Sequence, residues 1–149
     1  MILSISDIKI KSKTLQNLKI ISVYLAVTLV CIAVNKIYAI FGHGVSSEAM
    51  TWMFLYPLIG GILFFLMKEI MIPRINQDLG VRAFSNIYNT GIATLTVGSF
   101  LKGMMDIAGT SSPYVVFYFE IGWLCIVCSL ISLIICKLIH KDSKGHKIT

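Results

Sequence analysis

Apolar residues gather into four long runs, separated by short polar or charged breaks. The first, residues 20–41, is interrupted only by Asn35-Lys36, and the second, 49–67, carries no charge. The third begins at Ala83, is uncharged to Leu101, and continues through Lys102 to Asp106. The fourth, 114–136, has Glu120 as its one acidic residue. A helix rises about 1.5 Å per residue, so about 20 residues cross a hydrocarbon core. The pattern therefore predicts an all-α polytopic integral membrane protein, a four-helix transmembrane bundle with spans near 20–41, 49–67, 83–106 and 114–136.

The breaks support these divisions. Gly42-His43-Gly44 ends the first helix, and Ser47 is a natural N-cap for the second. Pro57 predicts a kink inside the second span, where Gly60-Gly61 would admit a close helix neighbour. Ser112-Pro113 reads as an N-cap with proline in the first turn. Residues 1–19 form a basic segment ahead of the membrane domain, 20–136, and residues 137–149 a basic tail behind it.

Composition agrees with this class. The hydrophobic fraction is 56% and the charged fraction 13%, where soluble domains carry about 25% charge. The net charge of +6 does not indicate nucleic-acid binding, because the basic residues form no single patch. Four lie before the first span, three (Lys68, Arg74, Arg82) between the second and third, and four after the fourth. The other two loops hold none, so the positive-inside rule puts both termini and the middle loop in the cytoplasm. Tyr38, Phe41, Trp52, Tyr114, Phe117 and Tyr118 then form an aromatic belt on the opposite side. Small size, short loops and no cleavable leader pattern give the expectation of a multi-pass protein of a prokaryotic cell membrane, with the lipid bilayer as first partner.

Gly44-x-Ser46-Ser47 and Gly109-x-Ser111-Ser112 recur at a constant offset of 65 residues. That offset also maps the first span onto the third and the second onto the fourth. A tandem hairpin repeat is one reading; the preference of helix-opening turns for glycine and serine is the other.

Candidate chemistry concentrates at one level. Lys36, Lys102, Asp106 and Glu120 are predicted near the outer ends of their spans, with Asn35 and His43 close in sequence. Ionisable groups in a membrane are costly and usually pair, so this cluster is either a charge-balanced clasp or a proton-coupled or solute site. Gly91, Thr94 and Gly98 share a stripe with Lys102 and Asp106 that Thr90 and Asn86 extend, and small residues at such spacing form helix contacts. Cys125-x-x-Cys128 puts two thiols on one helix face, a candidate redox pair. The remaining thiols, Cys31 and Cys136, lie in spans, so no loop cysteines supply the second pair that thiol–quinone exchange uses. His43 lacks a second histidine on its own side for a haem. No acidic metal cluster, phosphate-binding loop or cofactor fingerprint is present.

Three functions follow as expectations. The first is a small transport-related protein, or an accessory subunit of a larger membrane complex, using the outer charge site. The second is a purely structural or interaction subunit. The third is a membrane thiol–quinone oxidoreductase using Cys125 and Cys128. Four spans enclose little room, which favours a homo-oligomer or a larger membrane-protein partner over a lone transporter.

Overall fold

A computed structural model describes residues 5–42, 45–71 and 79–145. Among them there are five helices and no strand: α1 (Ile5–Phe41), α2 (Glu48–Trp52), α3 (Leu55–Met71), α4 (Leu79–Ile107) and α5 (Val115–Gly145). Three stretches are long and apolar enough to cross a membrane: Asn17–Phe41, Glu48–Glu69 and Val115–Leu138. α4 is not among them. Asn86, Asn89, Thr90, Thr94, Thr96, Ser99, Lys102 and Asp106 dilute its apolar character.

The second apolar run is two helices rather than one kinked helix. The break at Met53–Phe54 lies just before Pro57, because proline has no N–H for the Met53 carbonyl and its ring clashes with that group. The Met53 carbonyl accepts the Tyr56 N–H instead, at 3.3 Å. Residues 5–19 and the first apolar run form one continuous 37-residue helix.

The core is built around α4, which touches α2, α3 and α5 and is joined to α1 by side chains. The Tyr24 hydroxyl of α1 donates to Asn89 Oδ1 at 2.5 Å, and Tyr38 stacks edge-on against Phe100 with ring centres 5.7 Å apart. Phe84 and Tyr88 are 0% and 1% exposed. Both pack against Phe64 of α3, with ring centres 5.9 and 5.5 Å apart. The buried Tyr88 hydroxyl donates to the Gly60 carbonyl at 3.0 Å, so its polar tip is satisfied inside the core.

α4 and α5 run antiparallel in close contact. Cβ atoms added at Gly80, Gly91 and Gly98 would meet Cys136, Ile126 with Cys125, and Tyr118, respectively, all within 3.2 Å. These contacts keep one register from Cys136 to Tyr118, about 27 Å of α5 at 1.5 Å per residue. Gly91 and Gly122 lie at the closest approach: a Cβ on Gly91 would sit 3.0 Å from the Gly122 carbonyl oxygen.

Candidate functional site

α4 ends in a Schellman turn. Gly109 has φ +67°, a left-handed conformation that favours glycine. The Gly109 N–H donates to the Asp106 carbonyl at 3.2 Å and the Thr110 N–H to the Met105 carbonyl at 3.0 Å. This turn carries the chain towards α5 and leaves a pocket of about 170 Å³ between the two helices. Lys102, Asp106, Thr110, Ser111 and Ser112 supply its polar wall, and Met105, Val115, Val116 and Phe119 its apolar one.

Asp106 stands in the last turn of α4, where the helix dipole disfavours an anion. The compensating contact comes from Ser47, 4% exposed, whose hydroxyl donates to Asp106 Oδ2 at 2.7 Å. Ser47 does occupy the N-cap position of α2, but its side chain makes no capping hydrogen bond; it is committed to the carboxylate. Nearby, the Ser99 hydroxyl donates to the Ala49 carbonyl at 2.6 Å, and Gly103 lies against Met50. α2 is thereby held to the same end of α4, and Asp106 is oriented from behind by a buried donor.

Lys102 and Asp106 share the pocket, but no ion pair joins them among the described residues. Lys36 is exposed on α1, beside the half-buried Asn35 and away from buried Cys31. Glu120 is exposed on α5 together with Val116, Trp123 and Val127, whereas Gly122 and Ile126 are buried. Lys36 and Glu120 therefore leave the bundle on outward faces, and the pocket assembles two of the four charges. His43 lies outside the described residues.

Gly91 and Gly98 are buried against α5, and Thr94 is half-buried with its hydroxyl donating to the Thr90 carbonyl at 2.8 Å. Cys125 is half-buried, Cys128 exposed, and all four cysteines are free thiols. Among the described residues no three His, Cys, Asp or Glu side chains gather where a metal ion could bind.

Two features escape the sequence reading. One is the Ser47–Asp106 link. The other is a face of α4 between its contacts with α1 and α5, where Ala83, Asn86, Thr90, Ala93 and Val97 are all exposed. Their alternating spacing of three and four makes one helical seam. By the α4–α5 register, Asn86 and Thr90 lie level with Leu130 and Ile126, in the middle of the apolar length of α5. A larger apolar pocket, about 340 Å³, opens between α2, α3, α4 and α5, lined in part by Trp52, Ile59, Ile92 and Trp123.

Comparison with known proteins returns no match: no family model, curated protein or solved structure matches the chain.

Proposed function

We propose that the chain is a four-span membrane protein with both ends in the cytoplasm, acting as a transport-related accessory subunit in lateral contact with another membrane helix. The observation that carries this reading is the exposed seam of α4. Lipid offers no hydrogen bonds, so polar side chains within a membrane face protein or water. Asn86 presents a side-chain amide with no hydrogen bond among the described residues, at the mid-depth of α5. A neighbouring helix is the partner that resolves this, and Ala83 and Ala93 leave room for its close approach.

Crossing by α4 itself is supported by length and pairing. Its 29 residues span about 43 Å, more than the ~30 Å core of a bilayer. It also follows α5 along nearly all of the apolar part of that helix, which supports placing both helices in the same bilayer. The transport-related part of the reading rests on the polar pocket at the Lys102 end, opposite the basic segments.

Affinity purification from native membranes in mild detergent tests the proposal. A stoichiometric second membrane protein, or a second, differently tagged copy, is expected to co-elute. Asn86→Leu is expected to weaken that association while leaving the monomer folded. Wild-type protein that elutes alone under the gentlest extraction contradicts the reading.

A further inference from the structure

We infer that the pocket between the ends of α4 and α5 binds a small zwitterion, a molecule carrying an ammonium and an anionic group a few bonds apart. The inference deepens the transport-related reading by naming a ligand class for the same site. It needs only the fold described above, so it can fail or hold independently of whether α4 crosses a membrane.

Charge selects the ligand class. The pocket wall holds one cation, Lys102, and one anion, Asp106. A simple anion would gain Lys102 but face Asp106, and a simple cation would meet the reverse. A zwitterion places opposite charge against each. The two residues do not consume one another: they are four apart, no ion pair joins them, and lysine preceding the acid is the weaker order for such pairs.

The acidic side of the pocket is preorganised. Asp106 stands against the helix dipole, yet its Oδ2 is held by the buried Ser47 hydroxyl. Oδ1 has no hydrogen bond among the described residues and is available to an ammonium. Thr110 and Ser111, also without side-chain partners among the described residues, add hydroxyls to the same wall.

Size limits the ligand. The volume of about 170 Å³ is close to that of an apolar cavity of about 150 Å³ that accepts benzene. The ligand therefore has on the order of six non-hydrogen atoms, the scale of glycine or alanine. The same chemistry could come from a free solute or from the ammonium and phosphate of a phosphatidylethanolamine headgroup, and the experiment separates the two.

The test uses the purified full-length protein in detergent, with binding read by saturation-transfer NMR and calorimetry. Glycine, L-alanine and phosphoethanolamine are compared with methylammonium and acetate, which each carry half of the zwitterion. At least one zwitterion is expected to bind saturably and about tenfold or more tighter than either half, since a charge-assisted contact is worth roughly that factor. Lys102→Met and Asp106→Asn are each expected to lose about tenfold, with helix content by circular dichroism unchanged, and Lys102→Arg is expected to retain binding. In nanodiscs, weaker binding of the free ligand with phosphatidylethanolamine than with phosphatidylglycerol identifies the headgroup as occupant; equal binding identifies a free solute. Half-ligands that bind as well as zwitterions overturn the proposal, as does binding that survives in both charge-neutral variants, or no saturable zwitterion binding in either detergent or phosphatidylglycerol nanodiscs. If a variant fails to fold, the wild-type comparison of zwitterion with half-ligands decides alone.

Discussion

α1 and α4 invert each other. α1 is apolar along its membrane-length stretch and covers little of the core: Val23, Leu25, Leu29, Val30, Ile37 and Ile40 are all exposed. α4 is too polar to join the three membrane-length apolar stretches, yet it contributes Phe84, Tyr88, Ile92 and Leu95 to the core. Hydropathy reports what a helix face meets when it meets lipid. A helix surrounded by protein is released from that demand and can carry serines, threonines and asparagines, provided each finds a partner. Much of α4 complies: Ser85, Thr90, Thr94 and Thr96 donate to carbonyls four residues back, and Ser99 donates to Ala49. The exception is the amide of Asn86, which marks where protein contact is incomplete.

The contrast can be broken most severely at the α4–α5 crossing. Gly91→Leu would drive its side chain into Ile126, Cys125 and the Gly122 carbonyl, which lie 2.9, 3.2 and 3.0 Å from an added Cβ. Two of those obstacles are close to or part of the backbone, so relief requires the helices to separate. A loss of about 3 kcal/mol or more is expected, at the upper end of overpacking costs, read as a lowered unfolding midpoint in micelles. Ser47→Ala comes next. It removes the buried donor from a carboxylate that is itself exposed, so water partly replaces the bond, and the expected cost is about 1–1.5 kcal/mol, checked by the same melt. Tyr88→Phe removes the buried bond to Gly60 and should cost about 1 kcal/mol, with packing of the ring kept. On the outward face of α1, Val30→Ala is expected to change stability by less than about 0.5 kcal/mol. A large loss there would mean that another protein surface covers α1.

Parts of this organisation were legible in the sequence. The apolar runs located the first and last membrane-length helices, and Pro57 marked where the second run is interrupted, although as a break rather than a kink. The third run posed the harder problem. Its uncharged stretch is long enough for a span, but length cannot say whether its polar residues face protein or lipid. Distance along each run gives depth, and by that measure Lys36, Lys102, Asp106 and Glu120 are level. Depth does not give rotation. Lys36 follows Asn35 by one residue, a 100° turn that carries it off the packed face, and Glu120 lies opposite the Gly122–Ile126 stripe in the same way. The Ser47–Asp106 bond links residues 59 apart through the path of the α1–α2 loop and the packing of α2 on α4, neither of which leaves a local pattern. Asn86 was visible as an extension of the stripe with Gly91 and Gly98. Thr90 extends that stripe as well; Ala83, Ala93 and Val97 join the exposed seam because α5 covers the glycine side of α4.

The proposed membrane contact at Asn86 requires α4 to lie beside α5 through the full thickness of a membrane. Labelling of single cysteines in an otherwise cysteine-free chain tests this directly, with an impermeant maleimide applied to intact cells and to inverted vesicles. Arg82→Cys and Ser111→Cys, at the two ends of α4, are predicted to react from opposite sides, Ser111→Cys from outside the cell. Reaction of both from the same side would contradict a fourth span and, with it, the placement of Asn86 inside the membrane.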